Sequence, residues 1–145
     1  MRPLAALAIW FLAAGILGAG EKKLMHCFAF TPIETATDAE WQAFFKATDE
    51  LPKKIPGLTR VWHGKLRTPL TVYSVSPDAS KQFSDTNQKA TGEVTRRRRA
   101  HGVCMEMNDE AALKTYAAHP AHAEWVEVYS KVRQPGTTTF DILGQ

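Results

Sequence analysis

The stretch Tyr116-Ala117-Ala118-His119-Pro120-Ala121-His122 decides how the C-terminal half of this chain folds. Apolar residues keep helical spacing on both sides of it. Leu113, Tyr116 and Ala117 make one stripe, and Trp125, Val126, Tyr129 and Val132 make a second. A proline inside such a pattern has no N–H to donate, and its ring clashes with the preceding turn. The chain must therefore bend at His119-Pro120, with Pro120 opening a second helical segment, a position it tolerates well. The bend gathers a tyrosine and two histidines.

Working outward, Asn108-Asp109 supplies a cap for the helix before the bend. Ala100 to Met107 reads as a strand, with His101, Val103, Met105 and Met107 on one face and Gly102, Cys104 and Glu106 on the other. After the helices, Gln134-Pro135-Gly136 is a stop. Thr137 to Leu143, β-branched and aromatic, reads as the last strand. Upstream, Leu24 to Phe30 alternates as a first strand. Leu24, His26, Phe28 and Phe30 share one face, and Met25, Cys27 and Ala29 share the other. Thr37-Asp38-Ala39-Glu40 is a capping box. The stripe Trp41, Phe44, Phe45, Thr48 and Leu51 follows it, and Pro52, Pro56 and Gly57 are expected to close that helix. Leu58 to Leu66 is the second strand, with Trp62 expected in the core. Residues 67–99 hold Pro69, Pro77 and Gly92 without sustained periodicity and end in Arg96-Arg97-Arg98-Arg99. They read as an inserted loop, with a short strand at Leu70 to Val75 and the arginines as a solvated end.

The order is β-α-β-(insert)-β-α-β, the split arrangement of an α+β, ferredoxin-like domain. An antiparallel-type sheet carries both helices on one face. The other face, holding Met25, Cys27 and Ala29, is too apolar to stay wet, and a second copy of the chain is its simplest cover. Cys27 and Cys104 lie at mid-strand on that same side, on strands expected to be adjacent and parallel. They form one disulfide or remain two buried thiols.

At 145 residues the chain bounds a single domain with a real core. The formal charge of +3, and an arginine run with no interleaved aromatics, argue against a nucleic-acid binder. Leu4 to Leu17 is almost wholly apolar, follows Arg2 and precedes Gly18-Ala19-Gly20. That is the pattern of a secretory signal peptide cleaved near Gly20. The run of 14 residues is short of the roughly 20 that span a bilayer as a helix. The expectation is a leader at residues 1–20, a mature domain at 21–145 that is secreted or periplasmic, and no stable membrane insertion after cleavage.

These residues resemble the stress-responsive α/β barrel (Dabb) family, within the dimeric α/β barrels. The match runs from about Leu24 to Leu143. It is carried by Ile55-Pro56-Gly57, Trp62-His63-Gly64-Lys65, Tyr116 with His119-Pro120-Ala121-His122, and Phe140-Asp141. The insert at 67–99 departs from the usual short connection. The resemblance implies a homodimer whose two sheets face each other. One plant branch acts as a polyketide cyclase without metal or organic cofactor. By that likeness its catalytic pair falls on Tyr116 and His122, and its other pocket groups fall on His26, His101 and Asp141.

Read from residue chemistry alone, the same five groups are suited to proton transfer. Histidine titrates near neutral pH. Tyrosine can donate to a developing enolate oxygen. Asp141 can fix a histidine tautomer. With the apolar wall of Phe28, Phe30, Val103 and Met105, they outline a ligand pocket of His26, Phe28, His101, Val103 and Asp141 beside Tyr116 and His122. The alternative is a purely structural role, since buried histidines and tyrosines are ordinarily satisfied by hydrogen bonds. No short-spaced ligand pair points to a metal. Three readings stay open: an exported homodimer binding a small apolar molecule between sheet and helices, a cofactor-independent acid–base enzyme of the cyclase, lyase or isomerase kind, and a structural or interaction protein whose covered face and insert serve assembly alone.

Overall fold

The computed structural model describes residues 22–144; the expected leader at 1–20 lies outside them. Strand β1 spans Leu24–Pro32, β2 Leu58–Val75, β3 Val94–Met107 and β4 Arg133–Leu143. Helix α1 spans Asp38–Lys54, α2 Pro77–Thr86, α3 Glu110–Ala118 and α4 Pro120–Tyr129. The strands form one antiparallel sheet in the order β2-β3-β1-β4. Among the described residues no helix is long and apolar enough to cross a membrane.

The expectation that β1 and β3 run parallel is corrected: they are antiparallel. The reason is topological. Helix α1 carries the chain back so that β2 runs with β1, and β3 then returns antiparallel to β2. Inserted between them, β3 must oppose both.

Helix α1 begins with the capping box read from sequence. The Thr37 N–H donates to Glu40 Oε2 at 2.8 Å, and the Glu40 N–H donates to Thr37 Oγ1 at 3.3 Å. Pro52 does not end the helix as expected. It sits inside the last turn, which closes when the Ile55 N–H donates to the Leu51 carbonyl at 2.9 Å. The threonine in the apolar stripe has a purpose. Thr48, fully buried, donates to the Phe44 carbonyl at 2.7 Å and accepts the Trp125 indole N–H at 2.9 Å. That bond ties α1 to α4 with no polar atom left over.

Helix α3 starts at Asp109, whose carboxylate accepts the Ala112 N–H at 2.7 Å. It packs tightly over Gly57, where the backbone has φ +83° and an added Cβ would come within 2.5 Å of Ala112 Cβ. The bend falls at His119, the residue that ends α3 and caps α4. His119 is extended, and its Nδ1 accepts the Ala121 N–H at 3.1 Å.

The core lies between the sheet and α1, α3 and α4. It is built on Phe30, Phe44, Leu51, Ile55, Val103, Met105, Met107 and Val132, all essentially inaccessible.

Residues 67–99 are not an inserted loop. They continue β2 and β3 outward as a two-stranded arm, pairing Leu70 through Val75 with Arg99 through Val94 and capped by α2. The arginine run is therefore strand, and Arg99 is buried at 5% exposure. Trp62 is not in the core either, being 44% exposed on the sheet face away from the helices. There it shares a cross-strand row with Cys104, Cys27 and Phe140. Cys27 and Cys104 are register partners, with Cα atoms 4.2 Å apart, and form a disulfide.

Candidate functional site

Alternation places His26 on the helix side of β1, and register sets what meets it. Its cross-strand partner on β4 is Asp141. The His26 Nδ1–H donates to Asp141 Oδ1 at 2.6 Å. A carboxylate can only accept, so the bond fixes the tautomer and leaves Nε2 as the uncommitted nitrogen.

Above the strand, Tyr116 hangs from α3 and His122 from the first turn of α4. Their ring centres are 4.3 Å apart, and Tyr116 lies 6.0 Å from the His26 ring. The His122 Nδ1–H donates to the Ala117 carbonyl at 3.3 Å. Its Nε2 is therefore uncommitted too. Burial holds His122 below the ordinary imidazole range, opposed by the Ala117 bond and aided by the neighbouring His26. Neutral His122 is thus an acceptor at physiological pH. Burial pushes the Tyr116 phenol well above its usual value, so it stays protonated and is a donor.

The three groups line one cavity of about 270 Å³. Its apolar walls are Phe28, Leu113, Trp125 and Val126, and it extends to Tyr129, Arg133, Thr137 and Thr139. Phe28 packs against Trp125 and Tyr129 at 5.9 and 5.5 Å between ring centres. This is the usual construction of a small-molecule site: aromatic walls with a few convergent polar groups. An imidazole acceptor, a carboxylate-held imidazole and a phenol donor around one space are equipped to take a proton from a ligand carbon or oxygen and return it.

The expected pocket is only partly assembled. His26 and Phe28 line the cavity beside Tyr116 and His122, and Asp141 reaches it through His26. His101 does not. It is on the helix side, but its partner on β1 is Phe30, four residues from His26, or about 13 Å along a strand. It stacks on Phe30 and Trp41 and borders a separate hollow with Gln42, Phe45 and Lys65. Burial, then the Lys65 charge, lowers its pKa. Val103, 1% exposed, belongs to the core and not to this cavity. Tyr129, Arg133, Thr137 and Thr139 were not anticipated as site residues. The helical stripe hid Tyr129 among core positions, and Arg133 falls between that stripe and the Gln134-Pro135-Gly136 stop.

A larger hollow of about 440 Å³ lies on the opposite sheet face, between the disulfide, Trp62, Leu66 and Phe140. It contains none of the His26, Tyr116 and His122 side chains. Among the described residues, no group of three His, Cys, Asp or Glu is arranged to hold a metal ion.

No family model matches the sequence, and no curated protein matches it. Solved structures do match. A dimeric ferredoxin-like protein of unknown function from Jannaschia sp. CCS1 is 23% identical, with a TM-score of 0.55, over 83% of this chain and 97% of that one. A Dabb family protein with a ferredoxin-like fold from Mesorhizobium loti is 17% identical, with a TM-score of 0.55, over 86% and 99%. The hydroxynitrile lyase from Passiflora edulis is 10% identical, with a TM-score of 0.58, over 87% and 95%. At these identities the likeness establishes the fold alone, and that fold is ferredoxin-like.

Proposed function

We propose that this protein is an exported homodimer that binds a small, largely apolar molecule in the cavity between β1, β4 and the α3–α4 bend. The observation that carries the reading is the convergence of Tyr116, His122 and the Asp141-held His26 on one aromatic-walled space. Dimerisation is supported by the bare sheet face, where Trp62, Phe140 and Ile142 are about half exposed, and by the dimeric ferredoxin-like neighbours. Export is supported by the Cys27–Cys104 disulfide, which persists in oxidising compartments. Native mass spectrometry before and after organic extraction tests the binding claim. A co-purifying small molecule, lost on extraction and not retained by a His122→Trp variant that fills the cavity, is the expected result. A cavity occupied by side chains in a crystal structure, with no bound species, overturns it.

The His26–Asp141 bond favours a second reading, acid–base catalysis next to a carbonyl, of the cyclase, lyase or isomerase kind. A histidine aligned by a carboxylate is the arrangement that general bases use. One of the structural neighbours is a lyase. Exchange of the α-protons of phenylacetone in D₂O, followed by NMR, tests it. The expected exchange drops by at least about 10² in His26→Ala and His122→Ala. Exchange at the buffer rate overturns this reading and leaves the binding reading standing.

A further inference from the structure

The cavity is polarised along β4. Asp141 marks one end, Thr139 and Thr137 follow on the same face, and Arg133 closes the other. At the Arg133 end two polar atoms are buried without any hydrogen-bond partner: Tyr129 Oη and Arg133 Nε. Tyr129 is 5% exposed, and the Arg133 guanidinium is stacked over its ring with Cζ 4.7 Å from the centre. Buried polar groups are nearly always paired, and an unpaired one is costly. Arg133 forms no ion pair with a carboxylate among the described residues. Burial keeps the Tyr129 phenol protonated, so it too is a donor. This end of the cavity thus offers unpaired donors and positive charge.

We infer that the ligand is a monocarboxylate, with its anionic group against Arg133 and the Tyr129 hydroxyl and its apolar body along Phe28, Trp125 and Val126. The inference rests on the cavity being a binding site and adds the chemical class of what it takes. Orientation follows from charge. The Asp141 carboxylate repels an anion from the His26 end, and Arg133 attracts it to the other. The neutral end of the ligand then lies beneath Tyr116 and His122, where the proton-handling groups converge. A space of about 270 Å³ equals roughly nine water volumes in the liquid, which suits an acid of about ten non-hydrogen atoms.

Isothermal titration of the mature protein with 3-phenylpropanoate and its neutral isostere 3-phenylpropanamide tests the assignment. The acid is expected to bind at least tenfold more tightly. Arg133→Met is expected to erase that preference while leaving the affinity for the amide within twofold. Tyr129→Phe, which keeps the stacked ring, is expected to weaken the acid several-fold and the amide not at all, and it serves as the readout if Arg133→Met does not fold. Equal affinity for acid and amide in the wild type overturns the carboxylate assignment while leaving the cavity a binding site, with the orphaned donors then served by water. If neither compound binds, the binding reading falls and the assignment falls with it.

Discussion

The Tyr116 and His122 rings pack with centres 4.3 Å apart although they lie six positions apart in the chain. In an unbroken helix, residues six apart are offset by about 9 Å along the axis and about 120° around it, so their rings could not meet. The extended backbone at His119 removes that offset, and Pro120 makes the break obligatory by having no N–H to continue α3. The bend is therefore what creates the cavity roof, and its stability cost is met locally by the His119 cap.

Tyr116 separates a functional from a structural role. Its hydroxyl makes no hydrogen bond among the described residues, although the ring is 3% exposed. Tyr116→Phe is expected to change stability by less than about 0.5 kcal/mol while lowering proton exchange or ligand affinity at least tenfold. Thermal melts and titration on the same sample check this. Equal ligand affinity in both proteins assigns Tyr116 to packing alone.

Stability is expected to fall as the pH drops below about 6.5, the ordinary imidazole value. Burial lowers the pKa of both His101 and His122 in the folded chain. Between the lowered values and 6.5 the unfolded chain binds more protons, so acid favours unfolding. The stability these groups contribute is complete above the unfolded value and lost as pH falls through the folded ones. Replacing both with glutamine is expected to flatten the profile of melting temperature between pH 7 and 5. A profile unchanged by the double substitution contradicts the assignment.

The disulfide closes a loop spanning a sequence separation of 77 residues. The chain-entropy relation gives about 4.5 kcal/mol for such a loop. Cys27→Ala with Cys104→Ala is expected to lower the melting temperature by roughly 10–20 °C for a domain of this size, without altering the helix-side cavity. A loss of a degree or two shows that the cross-link adds little to what the sheet already fixes.

The row of Trp62, the disulfide and Phe140 on the bare sheet face is the expected centre of the dimer interface. Trp62→Glu places a charge in that row and is expected to yield monomers by sedimentation, with the fold retained by circular dichroism. Trp62→Glu protein sedimenting as the wild type does removes this face from the interface.

Local chemistry made the frame of the fold readable. The Thr37–Glu40 box, the Asp109 cap and the His119-Pro120 break are short-range devices that leave a residue signature. Alternation also put His26 and His101 on the helix side. Parity, however, carries no register: it separates faces and not positions along a face. That is why His101 was grouped with His26 and lies elsewhere. The arm at 67–99 is legible in the sequence only at Leu70 to Val75, for a related reason. No helix covers most of it, so its strands lack the one-sided apolar pattern that burial imposes. Arg99 is one of four arginines in a row, a pattern that reads as surface, and only the folded arm shows it buried against the Thr31 and Thr138 hydroxyls. The donors at the Arg133 end become visible only when α4 folds over β4.

Histidine ¹⁵N chemical shifts during titration with 3-phenylpropanamide address the central claim most directly, because they report on each imidazole separately. If the cavity beneath the α3–α4 bend is the binding site, the resonances of His26 and His122 move together with a single midpoint. Those of His63, His101 and His119 stay in place. Stationary His26 and His122 signals, or five signals that drift alike, contradict the account.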